Sequence, residues 1–208
     1  MKKGKFIVLE GLDGSGKGTQ ISLLADHLRQ QGHSVYLTAE PTPCSVGGII
    51  RDTLGGFAEH SEWELSALFL ADRIFHNTNP VNGIQKFINE GTYVLCDRYY
   101  YSSFAYQGID ADLDWVMQLN LGCSQILRPD LCIFLDLDVD SCNRRISQNR
   151  FSREIYENTD SLRRIRSRFL EVFDKLGENE NIAVVDASGT VSEVSAEIIK
   201  IYSSLKEK

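Results

Sequence analysis

The feature that most constrains the fold is a glycine-rich segment near the start of the chain, Gly11-Leu12-Asp13-Gly14-Ser15-Gly16-Lys17. It follows Lys5–Glu10, a short apolar run that predicts a buried strand. It precedes Lys17–Gln31, where apolar residues recur at helical spacing. A strand that passes through a tight glycine turn into a helix indicates a parallel α/β sheet. The segment also fits the phosphate-binding pattern GxxxxGK[ST] up to its last position.

The residue types in this segment suit the binding of phosphate groups. Glycines let the backbone curl so that successive N–H groups point at phosphate oxygens. The following helix N-terminus adds partial positive charge, and Lys17 supplies a full charge for the outer phosphates. Gly18 stands where the pattern has a Ser or Thr that ligates Mg²⁺. Either Thr19 takes that role, or phosphates, water and other carboxylates hold the metal.

The rest of the chain alternates short apolar runs with amphipathic stretches. Four further strands are predicted, at Ser34–Ala39, Tyr93–Cys96, Leu131–Leu137 and Ile182–Val185. Further helices are predicted at Cys44–Leu54, Glu62–Phe75, Gly83–Asn89, Leu113–Gln125, Asp140–Ile146, Ser161–Leu176 and Ser192–Leu205. Nearly all-apolar strands between helices indicate a parallel sheet covered on both faces. We therefore predict an α/β three-layer sandwich with a five-stranded parallel sheet, in a single domain over residues 1–208.

Charge and cysteine content disfavour several classes of protein. The chain has 22 Lys and Arg against 29 Asp and Glu, a net charge of −7, whereas general nucleic-acid binding needs many cations to neutralise phosphates. Its apolar runs are too short for a membrane span or a signal peptide. The five cysteines form no CxxC pair. Reduced thiols, a cytoplasmic location and no nucleic-acid or membrane partner are therefore expected.

Motifs spread over nearly the whole chain resemble those of the thymidylate kinase family. After the glycine-rich segment these are Glu40-Pro41, Leu68-Phe69-Leu70-Ala71-Asp72-Arg73, Asp97-Arg98-Tyr99 with Ser102-Ser103 and Ala105-Tyr106-Gln107-Gly108, Pro129-Asp130 before Leu135-Asp136, and Val185-Asp186-Ala187. The pairing of Phe-x-x-Asp-Arg with Asp-Arg-Tyr is much more specific than the glycine-rich segment, which many kinases share. Two positions depart from the family: Ala39 replaces the usual Arg, and Thr42-Pro43 replaces Gly-Gly.

The resemblance implies a P-loop nucleoside monophosphate kinase fold that transfers a phosphoryl group from ATP to dTMP, with Mg²⁺, in dTTP synthesis. Phe69 would stack on thymine, Arg73 would clamp the base and the acceptor phosphate, and Arg98 would also grip that phosphate. Ser103 would contact thymine, Tyr106 would crowd a ribose 2′-hydroxyl, and Asp13 would meet the 3′-hydroxyl. The implied dTMP site comprises Asp13, Phe69, Arg73, Arg98, Ser103, Tyr106 and Gln107.

The donor side follows from the same resemblance. Arg145 would pack on adenine, and the implied ATP site comprises Gly11, Leu12, Asp13, Gly14, Ser15, Gly16, Lys17, Gly18, Thr19 and Arg145. Asp97 ends a predicted strand beside the glycine-rich segment, where it could hold Mg²⁺ or its water, with Thr19 as the other metal candidate. An Asp-Arg dipeptide by itself is more commonly a surface ion pair.

An arginine-rich segment lies at 143–168, with eight of the thirteen arginines of the chain, no lysine and three acids. Within it, Gln148–Asn158 predicts a flexible lid that closes over ATP and excludes water. In the resembled family the catalytic arginine lies in the phosphate loop or the lid. The loop here has none, so Arg150 and Arg153 are the catalytic candidates, beside Lys17 and Arg98. The alternative is a solvated helix face, the preferred interpretation for Arg163, Arg164 and Arg168.

Two other functions stay open. Lys17-Gly18-Thr19-Gln20 resembles adenylate kinase, so another nucleoside monophosphate kinase is one alternative, although Phe69, Arg73 and Tyr106 favour dTMP. A non-catalytic nucleotide sensor is the other. The resembled family also commonly forms homodimers through its helices, and apolar residues Leu65, Leu68 and Phe75 permit that here.

Overall fold

The computed structural model describes residues 3–149, 158–177 and 179–205, with the side chains of 147–149 excepted. Its strands form one five-stranded sheet in the order β2-β3-β1-β4-β5, and every pairing is parallel. The strands are β1 Phe6–Gly11, β2 Val35–Ala39, β3 Tyr93–Asp97, β4 Leu131–Asp136 and β5 Ile182–Asp186. The predicted five-stranded parallel sheet is confirmed.

Helices connect the strands. They are α1 Lys17–Gln30, α2 Ser45–Leu54, α3 Glu62–Thr78, α4 Ile84–Asn89, α5 Tyr100–Tyr106, α6 Leu113–Leu121, α7 Val139–Asn149, α8 Thr159–Leu176 and α9 Val191–Ser203. A single 3-10 turn, Gln107–Ile109, follows α5. α5 is absent from the helices predicted from the sequence, and the helix predicted to end at Gln125 ends before Gly122 instead.

Side-chain caps explain where several helices begin. α3 and α9 each start with a capping box, formed by Ser61 with Glu64 and by Thr190 with Glu193. In each box the hydroxyl accepts from a backbone N–H that has no partner within the helix. The side chain of Asn158 accepts from Ser161 N–H and so caps α8.

The helices cover both faces of the sheet. Phe6 on one face of β1 meets Tyr99 next to α5, with ring centroids 5.0 Å apart, and Phe134 of β4 contacts Phe169 of α8. The opposite face carries Tyr93, whose ring meets Tyr202 of α9. The three central strands, β1, β3 and β4, are buried between these layers, which explains their nearly continuous apolar composition, whereas the edge strands β2 and β5 are partly exposed.

The carboxyl edge of the sheet positions the functional residues. The chain leaves central β1 between β3 and β4, so the ends of three neighbouring strands meet the glycine-rich segment. In the register, Leu9 of β1 pairs with Asp97 of β3, and Gly11 pairs with Leu135 of β4. Ligands bind at such a point in open α/β sheets. All five cysteines are free thiols, and none of the described helices has the length and apolarity to cross a membrane.

Candidate active site

A cavity of about 940 Å³ opens at the carboxyl edge of the sheet. One side is the glycine-rich loop from Asp13 to Gln20. The other side contains the segment after β2. The last residue of β3, Asp97, and the next residue, Arg98, line the same cavity. The predicted position of Asp97 beside the glycine-rich segment agrees with this arrangement.

The glycine-rich loop needs its glycines for conformation and for space. Gly14 has φ 81° and Gly16 has φ 100°, in the left-handed region that favours glycine. A Cβ on Gly14 would also lie 2.6 Å from the carbonyl oxygen of Cys142. Gly11 and Leu12, predicted to bind ATP, are buried at the base of the loop.

Lys17 lies inside this loop. Its Nζ donates to the carbonyl oxygens of Gly11 and Leu12, both at 3.0 Å, and lies 3.8 Å from Asp13 Oδ1. Burial lowers the pKa of the Lys17 ammonium, and the nearby Arg98 charge lowers it further. The ammonium is therefore held against the loop at the place where a bound phosphate chain would be neutralised.

The two residues after Lys17 line the cavity and are exposed. A Cβ on Gly18 would meet no atom within 4 Å, so glycine is not required there for space. Thr19 is the first hydroxyl after Lys17, and its exposed position leaves its predicted contact with a metal as a prediction.

Asp97 has the strongest signature of a ligand-binding carboxylate. Its Oδ1 atom is buried and finds no hydrogen-bond partner among the described residues. Buried carboxylate oxygens without a partner are rare in proteins because their desolvation is unfavourable. The carboxylate acts electrostatically on both Lys17 and Arg98. It fits a hard cation, whose preferred ligands are oxygens. No cluster of three or more metal-ligating side chains occurs in the described ranges.

Arg98 connects the two sides of the cavity. Its Nη2 donates to Asp13 Oδ1 at 2.8 Å, and its Nη1 donates to Ser102 Oγ at 3.1 Å and to Tyr106 Oη at 3.4 Å. Its backbone has φ 67°, which is unfavourable for a residue with a side chain and persists only where the surroundings enforce it. The alternative interpretation of Asp97-Arg98, a surface ion pair, does not describe this guanidinium, since Asp13 is its carboxylate partner.

Arg73 is buried rather than solvated, at 1% exposure. Its Nε and Nη2 both bond Glu40 Oε2, at 2.8 and 2.7 Å. It also donates to Asn120 and to Ser103. A guanidinium with this many fixed partners presents a rigid surface to the cavity, which it lines.

The segment after β2 is held by two residues with no role predicted from the sequence, Asp72 and Arg51. Asp72 accepts from the Thr42 N–H at 2.8 Å and from the Thr42 hydroxyl at 2.6 Å. Arg51 donates to the carbonyl oxygens of Thr42 and Pro41 and also lines the cavity. Asp72 stands beside Arg73 in the Asp-Arg motif, and that adjacency was the only sequence signal for it. Arg51 carried no signal beyond its charge on a helix.

The remaining residues predicted to bind dTMP divide into two groups. Phe69, Tyr106 and Gln107 line the cavity together with Arg73 and Arg98. Burial raises the pKa of Tyr106 to about 12, so its hydroxyl stays protonated at neutral pH. Ser102 lines the cavity, whereas Ser103 is buried and its hydroxyl accepts from Arg73.

The far end of the cavity extends past the glycine-rich loop. Arg145 lies there, with its Nη1 3.3 Å from the carbonyl oxygen of Gly14. Ala187, Gly189 and Val191 form the opposite boundary. Gln20 joins the two sides, because its Nε2 donates to the carbonyl oxygen of Val191 at 3.0 Å. Arg145 thus lies beside the glycine-rich loop, and its packing on adenine stays a prediction.

The described part of the arginine-rich segment forms ion pairs. Arg163 pairs with Asp160 and Asp140, and Arg164 pairs with Asp110. Arg168 pairs with Glu171, and Arg166 bonds Asp136 through two nitrogens, at 2.6 and 2.8 Å. The helix-face interpretation of Arg163, Arg164 and Arg168 agrees with this arrangement. Arg150 and Arg153 lie outside the described residues, as does most of the predicted lid.

A phosphate-binding loop facing an arginine-lined pocket, on a parallel sheet of this strand order, defines the class of P-loop nucleoside monophosphate kinases. Comparisons with known proteins narrow the class. A sequence model described as "Thymidylate kinase" matches residues 9–198. The chain belongs to the thymidylate kinase family.

Individual relatives agree with this assignment. The probable thymidylate kinase of Pyrococcus horikoshii is 37% identical over 206 residues, covering 96% of each chain. The thymidylate kinase of Clavibacter sepedonicus is 38% identical over 203 residues, covering 94% of this chain and 92% of that one. The structure of thymidylate kinase from Candida albicans superposes with a TM-score of 0.82 at 26% identity, covering 97% of this chain and 92% of that chain.

Proposed function

We propose that this chain phosphorylates dTMP to dTDP, with ATP as the donor, as a step in dTTP synthesis. One observation carries the proposal: a single cavity joins the phosphate loop to the Phe69, Arg73 and Arg98 constellation. Membership of the thymidylate kinase family supports the choice of dTMP over AMP as acceptor. The resemblance to adenylate kinase is confined to the short stretch around Gly18.

Phosphoryl transfer requires the protein to position the two nucleotides and to neutralise the charge of their phosphates, and asks for little covalent chemistry from it. The N–H groups of the loop and Lys17 would bind the donor phosphates. Arg98, tied to Asp13, would hold the acceptor phosphate in line with them, and Arg73 would present a fixed surface beside it. Phe69 would stack on thymine and Tyr106 would crowd a 2′-hydroxyl. Ser103 would act on the base through Arg73, to which it is bonded.

Mg²⁺ fits the proposed site. Asp97, with its buried unpartnered oxygen, would hold the ion directly or through water, and Thr19 is the second candidate. When bound, the ion would neutralise charge on the donor phosphates. This arrangement leaves most of its ligands to phosphate and water, which is usual for Mg²⁺.

An assay of ADP release tests the activity. We expect dTMP to be the best acceptor among dTMP, dUMP, CMP, GMP and AMP, and the 2′-hydroxylated analogue of dTMP to react more slowly because of Tyr106. Preference for AMP would support the adenylate kinase alternative. No diphosphate product from any acceptor, with ATP and Mg²⁺ supplied, would contradict a kinase function and favour the sensor.

The proposed lid, Gln148–Asn158, has its own test. Substituting Arg153 or Arg150 by Ala should lower turnover by about a hundredfold or more with substrate binding mostly intact, as for other arginines that contact a transferred phosphoryl group. Arg163→Ala is the matched control, since Arg163 is 57% exposed and paired with acids. Unchanged turnover in both lid variants would remove the lid from the mechanism.

We also propose a cytoplasmic homodimer of single-domain chains. Leu65 has no part in such an interface, because it is fully buried in the core. Phe75 and Trp63, on the outside of α3, are 44% and 47% exposed and could contribute. Light scattering coupled to gel filtration measures the mass directly, and a monomer at enzyme concentrations used in assays would contradict the proposal.

A further inference from the structure

Glu10 is a fully buried carboxylate that the mechanism above does not use. It lies near the end of β1 with an exposure of 0%. Burial raises the pKa of its carboxyl, and the Arg98 charge acts against that rise. A buried carboxylate is strongly unfavourable unless hydrogen bonds compensate for the lost water. The identity of its partners therefore indicates what Glu10 does in the fold.

All three bonds that the structure gives to Glu10 come from the segment after Arg98. Oε1 accepts from the backbone N–H of Tyr99 at 2.8 Å and of Ser102 at 3.1 Å. Oε2 accepts from the Ser102 hydroxyl at 2.7 Å. The Tyr99 N–H lies at the start of α5, where the helix itself supplies no acceptor. The Ser102 N–H, in the first turn, also donates to the carbonyl oxygen of Tyr99, at 3.1 Å. Glu10 thus fixes the position at which α5 begins.

The Ser102 hydroxyl extends this arrangement to Arg98. It donates to Glu10 and accepts from Arg98 Nη1 at 3.1 Å, so a chain of hydrogen bonds runs from the buried carboxylate through a half-buried hydroxyl to the half-buried guanidinium. The backbone N–H of Arg98 donates to the Leu9 carbonyl oxygen at 3.0 Å. Residues at the end of β1 therefore hold Arg98 by its backbone and by its side chain. This explains how the unfavourable φ of Arg98 is maintained.

We propose that Glu10 is a positioning residue for phosphoryl transfer. It fixes the first turn of α5 and, through the Ser102 hydroxyl, orients the Arg98 guanidinium toward the acceptor phosphate. The proposal rests on the function proposed above, in which Arg98 grips that phosphate. Glu10 touches no substrate in this scheme and acts only through its neighbours.

Steady-state kinetics of Glu10→Gln, Ser102→Ala and Arg98→Ala, with the corresponding double variants, test the proposal. Loss of one hydrogen bond to a charged group corresponds to roughly a tenfold effect, so Glu10→Gln and Ser102→Ala should each raise KM for dTMP about tenfold. KM for ATP should stay unchanged. In the Arg98→Ala background, Glu10→Gln and Ser102→Ala should each raise KM for dTMP by less than about a further twofold, because the effects of residues that act through one group are not additive.

Two controls separate positioning from other effects. Glu180→Gln changes another buried glutamate bonded to α5, through the hydroxyls of Tyr100 and Tyr101, and should leave KM for dTMP unchanged. Ser102→Thr keeps the hydroxyl and should retain a KM close to that of the unmodified enzyme. Ser102 also lines the cavity, so its loss could affect dTMP binding directly. The double variants separate the two explanations: an effect of Ser102→Ala through a direct contact with dTMP would persist in the Arg98→Ala background, whereas an effect through Arg98 would not.

The outcomes distinguish this proposal from the function on which it rests. If Arg98→Ala impairs dTMP use while Glu10→Gln and Ser102→Ala change neither KM, the positioning role is overturned and the function stands. A fall in kcat alone, in proportion to loss of folded protein, would likewise assign Glu10 a purely structural role. If Arg98→Ala leaves KM for dTMP unchanged, the proposed binding of the acceptor phosphate by Arg98 is wrong. Should Glu10→Gln fail to fold, Ser102→Ala gives the decision.

Discussion

The two sides of the cavity differ in how their buried polar groups are satisfied. On the acceptor side, Glu40, Asp72 and Arg73 are buried and bonded to other protein groups. On the donor side, Ser15 Oγ, Gln20 Oε1 and Asp97 Oδ1 are buried with no hydrogen-bond partner in the described part of the chain. Buried polar atoms rarely stay unpartnered in a working protein. The acceptor side is therefore set by the fold, whereas the donor side retains binding capacity for ligands.

This difference predicts that acceptor-side substitutions act first on stability. Glu40→Gln leaves the buried Arg73 guanidinium without its carboxylate and should lower the free energy of unfolding by about 3–5 kcal/mol. Urea unfolding measures the change. The exposed pair of Lys86 with Glu90 provides a control, and Glu90→Gln should change stability by less than about 1 kcal/mol. A similarly small effect of Glu40→Gln would show that the acceptor side is not held by this pair.

Donor-side substitutions should act on the reaction instead. Lys17→Ala removes the charge held inside the loop and should lower kcat/KM for ATP roughly 10²–10³-fold, the usual effect of losing a group that stabilises transition-state charge. Unfolding midpoints in urea should change far less than for Glu40→Gln. Lys86→Ala, on the outer side of α4 and away from the cavity, is the control for charge alone. Near-normal use of ATP by Lys17→Ala would mean that the loop does not bind the donor.

The proposed binding of Mg²⁺ by Asp97 predicts a smaller effect on activity than the loss of Lys17. Asp97→Asn keeps the shape of the side chain but removes its charge, and should raise the Mg²⁺ concentration for half-maximal activity about 10–100-fold. Isothermal titration with Mg²⁺ and a non-hydrolysable ATP analogue gives a readout independent of turnover. Asp26→Asn, on the outside of α1, should leave both values unchanged. An unaltered Mg²⁺ requirement would show that the unpartnered oxygen of Asp97 serves another purpose.

The smallest effect on the protein is expected outside the cavity, at the capping box of α9, where a substitution should change stability alone. Thr190→Ala should lower the melting temperature by roughly 2–4 °C, because an N-cap bond is lost. Bonds from Thr190 lower the pKa of Glu193 below its ordinary value of 4.5. The contribution of Glu193 is therefore present above about pH 4.5 and disappears as the pH falls through the lowered pKa. The melting temperature of Glu193→Gln should therefore differ from that of the unmodified protein at pH values above the lowered pKa of Glu193, and the two should converge below it.

The sheet and the phosphate loop could be predicted from sequence because each rests on a local pattern. Apolar runs mark the central strands, which are buried on both faces, and the spacing of the loop glycines before a lysine fits a phosphate-binding turn. The helix α5 could not be predicted in this way. This helix is buried on nearly all sides, including at Tyr100, Tyr101, Phe104 and Ala105. It therefore lacks the separate apolar and polar faces by which an amphipathic helix is detected in a sequence.

The site residues show the same division. Residues in a specific motif, such as Phe69, Arg73 and Arg98, could be placed in the cavity from sequence. Glu10, Asp72 and Arg51 could not, since their importance arises from partners far away in the chain. Glu10 bonds residues more than eighty positions away, and a single sequence holds no record of such pairing.

The open space around Gly18 bears on how the phosphate loop can vary during evolution. Glycine is among the weakest helix formers, and here it stands within the first turn of α1, where no neighbouring atom forbids a larger residue. One nucleotide change in a GGT or GGC codon would encode a serine, whose Cβ would meet no atom within 4 Å. This loop can therefore exchange between versions with and without a hydroxyl by a single mutational step.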